Sequence, residues 1–198
     1  KDRLERLFRA LGYGKLIKRL KVFTFHGFCK FCLSKELDNL DFDQWTKTFI
    51  KKAKSEPGLI AQKIGTVKYV FVDEFQDITS ERLDLLKLIA NPKTTKVCVI
   101  GDPNQSIYGY ERLDLGDTMD PKPLYERFEE IYKPQILNLV YNYRSYPEIL
   151  VRAEQLLSLN KSKFDIPKLK AVKEIHSDEI YCHIIEHKDG QRKWSEWL

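Results

Sequence analysis

The 198-residue sequence predicts an α/β protein, a parallel sheet flanked by helices. Three observations carry this: the apolar runs KYVFV at 68–72 and KVCVI at 96–100, the helix-patterned stretch between them, and the acidic residues Asp73 and Asp102 that follow the runs. Short apolar runs bounded by polar residues suit strands buried on both faces, as in parallel sheets. Strand, helix and strand in this order make a βαβ unit, whose crossover is right-handed by default.

Residues 2–11 place Leu4, Leu7, Phe8 and Leu11 at helical spacing, and Gly12 with Gly14 supplies a stop. Val22 to Phe25 reads as a short strand, His26 to about Leu37 as a helix. Phe42 to Ala53, with Trp45, Phe49 and Ile50, reads as another helix, ended by Glu56-Pro57-Gly58, and Leu59 to Ile64 as one further turn. After the first apolar run, Ser80 is placed to cap a helix that gathers Leu83, Leu85, Leu86, Leu88 and Ile89 before Asn91-Pro92 closes it. Beyond the second run come a helix at 124–131, a strand at 136–139, a helix at 147–159 and a strand at 180–185. No internal repeat or low-complexity segment interrupts the chain.

Composition narrows the function classes. Hydrophobic content of 42% with 12% aromatic residues argues against disorder, and no apolar run approaches the roughly 20 residues of a membrane span. The basic, amphipathic start lacks a secretory pattern, so a cytoplasmic location is expected. Net charge is +5, and residues 1–35 hold ten Lys or Arg against Asp2 and Glu5. That imbalance suits a polyanion partner as well as a solvated helix face. Cys29, Cys32, Cys98 and Cys182 are too few and scattered for a disulfide framework. His26, Cys29 and Cys32 lie in an apolar stretch without a second ligand pair, which favours buried structural cysteines over a zinc or iron-sulfur site.

In open α/β sheets the ligand sits beyond the carboxyl ends of the strands. A carboxylate there, as at Asp73, can hold Mg²⁺ while the metal bridges the outer phosphates of a nucleotide, and Glu74 could orient or deprotonate an attacking water. A bare Asp-Glu pair is more often a helix cap or surface feature. The surrounding hexapeptide changes that weighting.

VDEFQD, residues 72–77, resembles motif II of the UvrD/Rep-like superfamily 1 helicases. In family order, FTFHGF at Phe23 to Phe28 resembles the single-strand-binding motif, GDPNQSIYGY at Gly101 to Tyr110 resembles motif III, and LVYNYRS at Leu139 to Ser145 resembles motif IV. The resemblance implies a RecA-like fold, with residues 1–134 a partial first motor domain bearing a reduced 1B element, and 135–198 the start of a second that leads towards a 2B-like insertion. It implies ATP and Mg²⁺ as cofactors, with Asp73 serving the metal, Glu74 the water and Gln105 sensing the terminal phosphate. Arg144 resembles an arginine finger on that phosphate, a planar guanidinium able to take two oxygens. Tyr143 resembles the aromatic that stacks on adenine. Gln76 and Asp77 read as relays or as scaffold between adjoining loops.

The same resemblance implies single-stranded and duplex DNA as partners. Thr24, Phe25 and His26 resemble the backbone-gripping element of the first lobe, with core packing the competing use of Phe25 and Phe28. Tyr110, after Gly109 in a polar loop, occupies the position of a base-stacking aromatic, with Tyr108 as a second platform. Family members often carry Arg-Gly after that aromatic, whereas Glu111 and Arg112 follow here, which either removes the phosphate contact at this point or moves it to Arg112.

The sequence contains no G-x-x-x-x-G-K-[ST] phosphate loop, since Gly12-Tyr13-Gly14-Lys15 has neither the spacing nor the hydroxyl residue. Motifs V and VI do not follow residue 145. The expectation is a fragment of an ATP-dependent DNA helicase, translocating 3′ to 5′ in repair or recombination, inactive as an isolated fragment. A non-catalytic DNA-binding scaffold and the helicase part of a helicase-nuclease are the alternatives.

Overall fold

The computed structural model describes residues 1–42, 44–107, 109–114, 116, 120–159 and 167–174, without the side chains of Lys35, Tyr110, Glu111, Arg112 and Leu159. The chain forms two compact units, Lys1–Gln135 and Ile136–Leu198.

In the first unit, helix α1 spans Asp2–Ala10 and buries none of its residues, so its leucines do not form the core contact their spacing predicts. Val22 to Phe25 is not a strand. The hydroxyl of Thr24 accepts the Gly27 N–H at 3.0 Å, and helix α2 starts at Phe25 and runs to Leu33. A side-chain oxygen that satisfies an orphan amide outweighs the β propensity of Val22 and the phenylalanines. Helix α2 presents Phe28, Cys29, Cys32 and Leu33 to helices α3, Gln44–Ser55, and α4, Leu59–Ile64. Together with Leu37, Phe49, Leu59 and Leu85 they form one buried cluster.

Strands β1, Tyr69–Val72, and β2, Lys96–Val99, pair in parallel with Tyr69 opposite Lys96 and Val72 opposite Val99. Helix α5, Ser80–Ile89, makes the crossover. Its cap is Thr79 rather than Ser80: the Thr79 hydroxyl accepts the Arg82 N–H at 3.3 Å, and Ser80 is already helical. Helix α6 spans Gly109–Asp114 and α7 spans Lys122–Tyr132. The second buried cluster gathers Val72, Phe75, Ile78, Leu83, Leu86, Ala90, Leu124 and Phe128, with Val70, Val97 and Val99 packed on it.

Helices thus cover one face of the two-stranded sheet, and the expectation of burial on both faces fails. Tyr69 and Phe71 are 62% and 73% exposed, and Cys98 beside Phe71 is exposed as well. Strand alternation sends Val70 and Val72 inward and these residues outward.

In the second unit, the expected strand at 136–139 is absent and Ile136, Leu137 and Leu139 are exposed. The strand lies further on, at β3, Tyr141–Asn142, where Lys170–Ala171, β4, supplies a parallel partner. A backbone becomes a strand where its N–H and C=O groups find a ladder; here Lys170 N–H donates to Val140 C=O at 2.7 Å and Val172 N–H to Asn142 C=O at 2.9 Å. Helix α8 spans Pro147–Leu159, as predicted. The strand expected at 180–185 lies outside the described residues.

Candidate active site

At the carboxyl ends of β1 and β2 two short loops meet. The backbone ladder carries on into them, with Ile100 N–H donating to Val72 C=O at 2.8 Å and Phe75 N–H to Ile100 C=O at 2.9 Å. Phe75 is 1% exposed. Its ring lies 5.0 Å from that of Tyr125 and 4.9 Å from that of Phe128, so the second core anchors the loop.

Between strand and anchor the chain turns sharply. Glu74 adopts φ 51° and ψ 48°, the left-handed region, which costs a residue with a Cβ about 1–2 kcal/mol. The Asp73 carboxylate accepts the Glu74 N–H at 3.0 Å, and the buried Phe75 holds the far side. The strained turn leaves Asp73 and Glu74 both exposed beyond the strand end.

Gln76, only 4% exposed, joins the two loops. Its amide Nε2 donates to Glu74 Oε2 at 2.6 Å, its Oε1 accepts the Asp102 N–H at 3.1 Å, and its carbonyl accepts the Ser106 hydroxyl at 3.2 Å. A backbone N–H can only donate and a carboxylate only accept, which fixes the orientation of the amide between them. Asp102 uses both oxygens, Oδ1 accepting the Asn104 N–H at 3.0 Å and Oδ2 accepting Gln105 Nε2 at 2.9 Å. Asp77 is held through its backbone, its carbonyl accepting Arg82 Nη1 at 2.8 Å. Gly101 permits this closeness: a Cβ there would lie 2.8 Å from Gln76 Oε1 and 2.9 Å from the Phe75 amide nitrogen. The sequence reading did not single out Gly101, although its place directly after an apolar strand is the signal.

Asp73, Glu74, Gln76, Asp102 and Gln105 are therefore brought together. Tyr143 and Arg144 stand in the second unit, both exposed, where Asn142 Oδ1 accepts the Arg144 N–H at 2.9 Å and the Ser145 N–H at 2.7 Å.

Among the residues expected to grip DNA, Thr24 caps α2, and half-buried Phe25 packs against both cores. The His26 ring lies 3.9 Å from that of Phe42. Tyr108 lies outside the described residues, as do the side chains of Tyr110 and Arg112. The backbone at 109–114 is helix α6, where a polar loop was expected.

Cys29 and Cys32 are buried, and burial pushes their thiols up to about 12 and about 11. Cys98 departs from the expectation of buried cysteines, and Cys182 lies outside the described residues.

Residues 34–117, which hold both loops, match the model of the UvrD/REP helicase N-terminal domain. That segment is UvrD-like. The ATP-dependent DNA helicase srs2 of Schizosaccharomyces pombe is 30% identical to this UvrD-like chain over 156 residues, which is 78% of the chain and 16% of that relative. The ATP-dependent DNA helicase PcrA of Staphylococcus epidermidis is 34% identical over 125 residues, 63% of the chain and 16% of the relative. PcrA of Staphylococcus aureus is 32% identical over 124 residues, with the same 63% and 16%. The UvrD-like chain thus spans about 16% of the length of the curated relatives it matches.

The donor set of the UvrD-like site suits Mg²⁺. Among the described residues no group of three His, Cys, Asp or Glu converges on one point. Mg²⁺ needs no such cage, since it keeps several waters and takes one or two carboxylates plus substrate phosphates. Exposed Asp73 at the strand end offers a carboxylate of that kind. No helix among the described residues is long and apolar enough to cross a membrane.

Proposed function

We propose that this UvrD-like chain is part of a cytoplasmic ATP-dependent DNA helicase, a motor that hydrolyses ATP to move 3′ to 5′ along single-stranded DNA and part the duplex in repair or recombination. The observation that carries the reading is the unbroken polar chain Glu74–Gln76–Asp102–Gln105 across the strand ends, inside the family-matched segment. It places a carboxylate able to handle water and a neutral amide able to read a phosphate in one hydrogen-bonded assembly.

In this proposal residues 1–134 belong to a first RecA-like motor domain and 135–198 open a second. Asp73 holds Mg²⁺, which when bound supplies charge neutralisation at the outer phosphates. Glu74 accepts a proton from water as the water oxygen bonds to the terminal phosphorus. The bond from that phosphorus to its bridging oxygen breaks, giving ADP and phosphate. Gln105 donates its amide to the terminal phosphate, releasing the hold of Asp102. Arg144 stabilises charge on the transferred group and Tyr143 stacks on adenine. Thr24, Phe25, His26, Tyr108, Tyr110 and Arg112 contact DNA.

The test is ATP turnover by the full-length protein. DNA-stimulated hydrolysis is expected, and Glu74→Gln, which keeps shape and removes the base, should lower kcat by at least about 100-fold, as loss of a general base does. Full turnover in Glu74→Gln would overturn the role of Glu74. A full-length protein that binds DNA without hydrolysing ATP would establish the scaffold reading instead.

A further inference from the structure

We propose that Gln76 is the positioning residue that aims the Glu74 carboxylate and ties its aim to the loop after β2. The inference rests on the ATP-hydrolysis reading above and deepens it by naming a group that acts through Glu74 without touching substrate.

The Gln76 side chain is closely constrained. Gln76 is 4% exposed, and both ends of its amide are engaged, Nε2 on Glu74 at 2.6 Å and Oε1 on the Asp102 amide at 3.1 Å. A buried amide held at both ends cannot turn without leaving a polar group unpaired. The Glu74 backbone sits in the left-handed region, so its side chain leaves the loop in a direction the turn dictates, and Gln76 fixes where the carboxylate comes to rest. Gly101 crowds the same amide, leaving no room for a Cβ beside Oε1. Because Asp102 Oδ2 also holds Gln105, departure of Gln105 towards a phosphate alters the loop on which Gln76 rests. Gln76 thereby carries phosphate occupancy to the water-handling carboxylate.

Gln76→Glu separates aiming from support. The ionised carboxylate still accepts the Asp102 N–H but cannot donate to Glu74. In the full-length protein with saturating single-stranded DNA, Gln76→Glu should lower kcat at neutral pH by about tenfold or more with KM for ATP little changed.

Gln76→Ala gives a second readout that does not rest on the added charge. Its kcat loss should vanish in a Glu74→Gln background, since Gln76 acts through the Glu74 carboxylate. Wild-type kcat in Gln76→Glu, a loss carried by KM for ATP rather than by kcat, or additive effects of Gln76→Ala and Glu74→Gln would each overturn the role of Gln76. Wild-type turnover in Glu74→Gln would instead overturn the reading on which it rests.

Discussion

Two phenylalanines four residues apart show how much position decides. Phe75 fills the second core, 1% exposed, while Phe71 on β1 is 73% exposed. Phe75→Ala should destabilise the first unit by about 3–5 kcal/mol, whereas Phe71→Ala should stay within about 0.5 kcal/mol. Urea titration followed by far-UV circular dichroism would measure both. Phe75→Ala also removes the anchor beside the strained Glu74 turn. The loop was legible in the sequence, since an apolar strand running into Asp73 marks it, whereas the outward place of Phe71 was not, because a continuous apolar run reads as buried on both faces. The bridge at Gln76 was legible only as a choice between relay and scaffold. Its partner lies 26 residues away at Asp102, and the contact depends on strand register and on the missing Cβ of Gly101.

Among the elements, helix starts show where local chemistry outweighs pattern. Thr79, 2% exposed, caps α5, and Thr79→Ala should cost about 1 kcal/mol. Thermal melts of the variant beside wild type would check the loss. Residue pattern alone does not distinguish adjacent Thr and Ser as caps, because either hydroxyl fits and the backbone decides between them. The same competition removed the strand expected at 22–25, where Thr24 caps α2. Helix α8 was legible throughout, since Pro147 suits a first turn and the apolar spacing continues to Leu159. The strand at 141–142 was misplaced because its partner at 170–171 is 29 residues further on and carries no pattern of its own.

Across the molecule, burial of neutral acids links stability to pH. Burial pushes the thiol of Cys29 up to about 12 and the phenol of Tyr132 up to about 12, and Tyr132 donates its hydroxyl to Ala90 C=O at 2.9 Å. Each group is neutral below its ordinary value, so its contribution is complete there. Between that value and the raised one the unfolded chain gives up the proton and the folded chain keeps it, which favours unfolding. Urea midpoints of the first unit should therefore hold steady up to about pH 8.5 and fall as pH rises towards 12, with a smaller fall in Tyr132→Phe. The resemblance to helicases was legible from four short motifs at this scale, whereas the one-sided sheet was not, because it follows from contacts between distant segments.

The one-sided sheet has a consequence for behaviour at high protein concentration. Among the described residues β1 and β2 bond only with each other, so the outer rim of each offers unsatisfied N–H and C=O groups beside Tyr69 and Phe71. Such a rim can template a strand from another molecule, and charged residues at its start oppose that stacking. Lys68 and Lys96 occupy those places, both exposed. Exchanging Lys96 for valine should leave the fold of the dilute chain unchanged yet shorten the lag before thioflavin-positive assemblies form, and an unchanged lag would show that neighbouring residues keep these rims apart.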